Sequence, residues 1–155
     1  MQRIGFIGIG LMGQHMAKRV HLGGYPLTIW NRTKDKARPL LEAGAAWADS
    51  PRAVAQVSDM VITMVTDSAA SEQVTYGPGG VLEGAHPGLV LIDMSSITPE
   101  TSRAIAERAA ACGVAMLDAP VTGAPGWLRM GSWASWWEGP GRRSSTAVPC
   151  SRRWA

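Results

Sequence analysis

Six short apolar runs punctuate residues 1–118, with helix-compatible stretches between them. The first, Ile4-Gly5-Phe6-Ile7, carries no charge and leads through a glycine turn into a helical stretch over 11–22 that Gly23-Gly24 ends. A second strand is predicted over 26–30. Thr33 then caps a helix over 34–42, which Gly44 closes. A short third strand follows over 45–47. Ser50-Pro51 pairs a capping hydroxyl with a proline whose missing N–H is harmless at the first helical position, so a helix is expected over 51–57. Asp59-Met60-Val61-Ile62-Thr63-Met64-Val65 is almost continuously apolar, as in a strand covered on both faces, and is read as the central strand. Asp67 or Ser68 caps a helix to residue 74, and Gly77-Pro78-Gly79-Gly80 forms a loop before a helical turn over 81–84. A buried strand spans 89–93. Thr98-Pro99-Glu100 opens a helix reaching Gly113, with Ala104, Ile105, Ala109 and Cys112 as apolar positions and Cys112 read as a core residue at the helix end. The last strand covers 114–118.

This alternation implies an α/β fold, a Rossmann-type doubly wound parallel sheet with right-handed crossovers. Ligands of such sheets gather at the carboxyl ends of the strands. Five clusters fall there: Gly8 to Gly13, Asn31-Arg32-Thr33, Val65-Thr66-Asp67, Ser95-Ser96 and Pro120-Val121-Thr122-Gly123. In the first, Gly8 permits a tight turn, Gly10 has no side chain to keep a pyrophosphate away, and Gly13 lets the helix pack close on the strand. The N–H groups of Leu11, Met12 and Gly13, at the positive end of a helix dipole, would face phosphates. The competing reading is an ordinary glycine turn, which the apolar strand before it and the helix after it disfavour. NAD sites usually carry a carboxylate at the end of the second strand; here Arg32, 19 residues after Gly13, suits the 2′-phosphate of NADP, with NAD the less favoured cofactor. The plain alternative is an exposed arginine at a helix start.

Length and composition add bounds. One domain with one core is expected from 155 residues. Met1-Gln2-Arg3 leads straight into the strand with no signal peptide, and no run has the roughly 20 apolar residues of a membrane span, so a cytoplasmic protein is expected. Cys112 and Cys150 show no metal-site spacing. His15, His21 and His86 read as solvated helix or loop residues without catalytic role. The net charge of +3 is unevenly placed: residues 1–126 hold ten Lys+Arg against eleven Asp+Glu, whereas residues 127–155 hold five Arg against Glu138 alone.

Gly5-Phe6-Ile7-Gly8-Ile9-Gly10-Leu11-Met12-Gly13 with Met16-Ala17, then Asp93-Met94-Ser95-Ser96-Ile97-x-Pro99, then Asp118-Ala119-Pro120-Val121-Thr122-Gly123 follow one another over residues 3–124. Together they resemble the N-terminal domain of the β-hydroxyacid dehydrogenases, the 3-hydroxyisobutyrate dehydrogenase and tartronate semialdehyde reductase type, related to 6-phosphogluconate dehydrogenase. Arg19, Thr122 and Ala124 depart from that pattern. The resemblance implies hydride transfer between NADP and a small 3-hydroxy acid or its semialdehyde. It places Val65, Thr66 and Asp67 beside the nucleotide, Ser96 near the nicotinamide, and Thr122 with Gly123 on the substrate carboxylate, with Ser96 also touching substrate. The plain alternative for Ser95, Ser96 and Thr98 is that they are only turn and cap residues. It also implies an oligomeric parent enzyme whose catalytic lysine lies downstream, on the helix leading to an all-helical C-terminal domain. Lys18, Lys34 and Lys36 do not match that position, so the expectation is a cofactor-binding domain, residues 1–124, without the catalytic residue or the second domain.

Residues 125–155 are expected to be an irregular tail. The last 29 residues hold five of the seven tryptophans and five of the twelve arginines, without strand or helix period. One reading is a stacking surface for single-stranded nucleic acid or a docking tail of a non-catalytic nucleotide-binding module; another is a pseudogene product without a stable role. A shifted reading frame fits better, and no nucleic-acid partner is expected. Written back as codons, with CTN for Leu128, CGN for Arg129 and AGY for Ser132, residues 126–140 read two bases later give x-Ala-x-(Asn, Asp, His or Tyr)-Gly-x-Leu-Gly-(Ile, Val, Leu or Phe)-(Met, Leu or Val)-Val-Gly-(Gly or Arg). That resembles the A-x-x-G-x-L-x-I-M-V-G-G continuation of the family, and its first glycine falls eight positions after Gly123, the family's spacing. Determination of the nucleotide sequence across residues 123–140 is expected to find this second frame open and family-like; a stop codon, or codon choices that destroy the motif, would overturn the frameshift.

Overall fold

A computed structural model of the chain describes residues 1–121. Thr122 and Gly123, the domain boundary expected at 124 and the tail lie outside the described residues. Along the chain come β1 (Ile4–Ile7), α1 (Gly13–Leu22), β2 (Leu27–Trp30), a 3-10 turn (Lys34–Ala37), α2 (Arg38–Glu42), β3 (Ala46–Trp47), α3 (Pro51–Val57), β4 (Met60–Thr63), α4 (Ser68–Tyr76), a 3-10 turn (Val81–Gly84), β5 (Val90–Asp93), α5 (Pro99–Ala111) and β6 (Ala115–Asp118). The strands form one parallel sheet in the order β3-β2-β1-β4-β5-β6. The expected Rossmann-type fold is therefore present. The strand expected at the centre, β4, shares that place with β1.

Strand periodicity sorts the core into two layers, since successive side chains leave opposite faces of the sheet. Ile4 and Phe6 of β1 meet Leu27 and Ile29 of β2 under Met16, Ala17 and Leu40 of α1 and α2. Ile7, Val61 and Leu91 face the other way, against Val54 and Ala55 of α3, Val74 of α4, and Ile105 and Ala109 of α5. With both faces covered, the strands can be apolar at every position, which is the pattern visible in the sequence. Gly5 has a specific packing reason: a Cβ there would overlap Val54 and crowd the Ser58 hydroxyl, so α3 could not lie so close on β1.

Helix signals worked where a side chain was free to turn back on the backbone. Ser50 accepts from Ala53 N (3.1 Å), Asp67 from Ala70 N (2.8 Å) and Thr98 from Thr101 N (3.3 Å). Thr33 makes no such cap, contrary to expectation. Its carbonyl instead accepts from Asn31 Nδ2 (2.8 Å), and the chain passes through a 3-10 turn before becoming α-helical at Arg38. Cys112 also differs: it is exposed rather than in the core. The helix stops one position earlier, Gly113 takes φ 71°, and the chain folds back so that Val114 N bonds to Ala109 O (2.9 Å) and Val114 fills the buried place.

At the amino ends of the strands Arg3 clasps Asp59, Nη2 to Oδ1 at 2.6 Å and backbone N to Oδ2 at 2.8 Å, joining the start of β1 to the entry of β4. The side-chain and backbone hydrogen bonds from Arg3 hold the Asp59 carboxyl at about 2, below its usual range. Because the folded value is depressed, the stability this pair contributes is present above the ordinary carboxylate pKa and is lost as pH falls towards 2. The expected outcome is that NMR titration places Asp59 at about 2 and that Arg3→Ala returns it towards an ordinary carboxylate value; an Asp59 that titrates normally in the intact chain would contradict the clasp.

Candidate cofactor site

The turn from β1 to α1 is fixed by two glycines for reasons internal to the protein. Gly8 has φ 99°, and a Cβ on it would overlap the carbonyl of Met64, the residue just past β4. Gly13 opens α1 directly against the Gly8 carbonyl, again with no room for a Cβ. Gly10, between them, is different: a Cβ there would meet nothing within 4 Å, and its φ is not positive. The fold makes no demand for glycine at position 10. Position 10 leads directly into the first turn of α1, where the N–H groups of Leu11, Met12 and Gly13 precede any i−4 acceptor and no acidic side chain of that turn competes for them. Leu11 is 68% exposed, whereas Met12 packs against the core beneath α1.

Asn31 holds this turn from the end of β2. Its Oδ1 accepts from Ile9 N (2.9 Å) while Nδ2 donates to Thr33 O, so both ends of the amide are engaged within the protein. Sequence reading put Asn31 among the cofactor contacts; the structure shows it bracing the glycine turn. Arg32 and Thr33 are exposed beyond it. Across the sheet's carboxyl edge, Asp67 caps α4, and Thr66 Oγ1 donates to its Oδ2 (3.0 Å). The Ala70 N–H, then the Thr66 hydroxyl, hold the Asp67 carboxyl below its usual range, and the charge of Arg32 adds to this. Arg32 and Asp67 thus share one electrostatic neighbourhood above β1. Ser96 is exposed past β5, and the N–H of Val121, the last described residue, reaches Met94 O (3.4 Å) beside it.

Every expected cofactor residue within the described chain therefore stands at the carboxyl edge of β1, β2, β4 or β5. Sequence reading missed the buried polar groups beneath them: Asp93 and Ser71, and the bracing function of Ser95. The visible signal was a carboxylate ending the apolar run 89–93. Two of the histidines, His21 and His86, also differ from expectation. His21 Nε2–H, on α1, donates to Ala43 O (2.7 Å) at the end of α2, and His86 Nε2–H donates to Ser58 O (2.9 Å) after α3, so each ties two segments together. Among the described residues no group of three or more His, Cys, Asp or Glu could hold a metal ion, and no helix is long and apolar enough to cross a membrane.

Fold and site together define a dinucleotide-binding domain. Residues 3–135 match the family model described as the NAD binding domain of 6-phosphogluconate dehydrogenase. The chain is 40% identical over 129 residues to the mitochondrial 3-hydroxyisobutyrate dehydrogenase of Rattus norvegicus, covering 83% of this chain and 38% of that protein. Among solved structures, the 3-hydroxyisobutyrate dehydrogenase of Salmonella typhimurium superposes with a TM-score of 0.77 at 29% identity, covering 84% of this chain and 46% of that one. An imine reductase from Myxococcus stipitatus in complex with NADP+ gives 0.72 at 31% identity, covering 81% and 43%. The chain belongs to this family as an NAD(P)-binding domain of the β-hydroxyacid dehydrogenase type, and it spans less than half the length of these relatives.

The two kinds of glycine separate experimentally. Gly13→Ala is expected to lower folding stability by about 1–3 kcal/mol or more, because backbone must move to admit the methyl group, whereas Gly10→Ala is expected to stay within about 0.5 kcal/mol of wild type. Urea unfolding of both variants checks this; equal losses would show that position 10 is constrained by the fold after all.

Proposed function

We propose that these residues form the NADP-binding half of an oxidoreductase that moves hydride between NADP and a small 3-hydroxy acid or its semialdehyde. The observation that carries the reading is the empty approach at Gly10, beside a helix N-terminus with free donor positions and no competing carboxylate. Gly8, Gly10, Leu11, Met12 and Gly13 would cradle the pyrophosphate. Arg32 would take the 2′-phosphate, with Thr33 beside it; the NADP+ held by the imine reductase relative supports that preference. Val65, Thr66 and Asp67 would border the nucleotide, and Ser96 would meet the nicotinamide end. When bound, the cofactor supplies the hydride acceptor or donor; the protein supplies orientation and fixed dipoles around it.

Substrate binding would fall to Ser96 with Thr122 and Gly123, a hydroxyl and exposed backbone N–H groups suited to a carboxylate. The reading divides the chain into a cofactor domain over 1–124 and a frameshifted segment over 125–155. Oxidation of an alcohol needs a group to take the hydroxyl proton as hydride leaves, worth about a hundredfold to ten-thousandfold in rate. The three lysines do not supply it. Lys18 lies on α1, and Lys34 and Lys36 lie in the 3-10 turn after β2, with Lys34 Nζ over the Trp47 ring at 4.9 Å. These 155 residues alone are thus read as binding cofactor without turnover.

Titration of NADP+ and NAD+ by calorimetry is expected to show about a tenfold to hundredfold preference for NADP+, the worth of a charge-assisted hydrogen bond or two, abolished by Arg32→Ala. Equal affinities in the wild type would overturn the cofactor assignment. In the same preparation, NADP-linked oxidation of 3-hydroxyisobutyrate is expected to be absent; turnover at a rate typical of an enzyme would show that a catalytic acid/base is present within these residues.

A further inference from the structure

Asp93 is 1% exposed and ends β5 in a row that the strand register carries across the sheet: Trp30, Ile7, Thr63, Asp93, Asp118. A carboxylate in that position is costly unless donors meet it. Two do. The Ser71 hydroxyl of α4 donates to Oδ2, and Ser95 N donates to Oδ1 (2.9 Å). Ser71 and Ser95 are themselves fully buried. The Ser95 hydroxyl then accepts from Val65 N (2.9 Å), in the loop after β4. From Val65 the chain runs through Thr66 to Asp67, the cap of α4, and the first turn of that helix leads to Ser71, whose N–H donates to Asp67 O (3.0 Å). The contacts close a circuit: Asp93, Ser95, Val65, Asp67, Ser71 and back to Asp93.

This circuit lies directly under the two loops that reach the exposed edge. Ser95 is buried and Ser96, its neighbour, is exposed, so fixing one fixes the direction of the other. A second tether acts from the far side, where Thr98 N donates to Ser68 Oγ (3.1 Å) at the start of α4. The segment 95–98 is thereby held at both ends by hydrogen bonds to residues of β5, α4 and the loop after β4. The adenosine end of the site depends on other contacts, namely the Gly8 and Gly13 packing, Asn31 and the unobstructed Arg32. An apolar residue at 93 would continue the strand's buried run without the desolvation cost, which makes the carboxylate informative about the site rather than about the core.

We infer that Asp93, Ser71 and Ser95 are positioning residues that hold Ser96 in place for the nicotinamide end of the cofactor while leaving the adenosine end unaffected. This rests on the NADP reading above, and the two can fail separately. Titrations of the 155-residue chain with NADPH, and with 2′,5′-ADP, which keeps the adenine and the 2′-phosphate but lacks the nicotinamide, separate the two ends. Ser95→Ala, which loses one buried hydrogen bond, is expected to weaken NADPH binding about tenfold, and Asp93→Ala, which loses two, at least as much, with 2′,5′-ADP within about twofold of wild type for both. Asp93→Asn is expected to keep NADPH within about threefold. Its amide oxygen can still accept from Ser95 N, and the Ser71 hydroxyl can rotate to accept from the amide nitrogen. Should Asp93→Ala not fold, Ser95→Ala decides, since it removes one hydroxyl and opens little space. Equal weakening of both ligands would show a general structural role and overturn the inference, as would unchanged NADPH binding in Ser95→Ala. A wild type that binds neither ligand would overturn the cofactor reading itself and this inference with it.

Discussion

The structure depends on how closely β1, β4 and the start of α1 approach one another. At Gly8 the chain runs against the Met64 carbonyl, and at Gly13 the helix runs against the Gly8 carbonyl; neither contact leaves room for a single methyl group. That closeness aims the opening of α1 across the carboxyl edge of the sheet. It also brings the β4 exit, and with it Val65 to Asp67, next to the glycine turn. Had either position carried a side chain, the helix would stand off the sheet, and the donors of its first turn would point elsewhere. Position 10 shows the other side of the same design, because glycine there answers to nothing in the protein.

The two halves of the edge are built from different chemistry. On the β1 and β2 side the loops are held by backbone packing and by one bracing amide, Asn31, so the exposed groups are N–H donors and the Arg32 cation. On the β4 and β5 side the loops are held by a buried polar circuit through Asp93, Ser71 and Ser95. Hydrogen bonds of this kind contribute modestly when made and cost more when broken, so they fix geometry more than they add stability. The proposed site, with phosphates at one end and a hydroxyl presented at the other, would use both kinds of support.

Much of this was legible in the sequence because the governing effects are local or periodic. The strands announced themselves as apolar runs, since a parallel sheet buries both faces, and Ser50, Asp67 and Thr98 announced helix starts three residues ahead of the N–H each one meets. The failures have one cause in common, a competing partner that local reading cannot see. Thr33 lost its capping function because Asn31 draws its carbonyl into a different turn. Cys112 was placed in the core by helical period, but Gly113 ended the helix and Val114 took the space. The brace at Asn31 was out of sight in the same way, since its amide meets Ile9 and Thr33 only once the turn has formed. The Asp93 circuit joins residues 22 and 30 positions apart in the chain, beyond any local pattern.

The central claim is that the carboxyl edge around Gly10 receives the dinucleotide. Amide chemical-shift mapping of the isotope-labelled chain during titration with NADP+ tests it most directly. The account predicts the largest changes at Gly8 to Gly13, Arg32 and Val65 to Asp67, with a weaker set at Ser95 and Ser96. The residues at the opposite edge, Arg3, Asp59 and His86, should stay still. Changes concentrated at that opposite edge, or in the cleft that Tyr76, Leu82 and Arg108 line between α4 and α5, would contradict it.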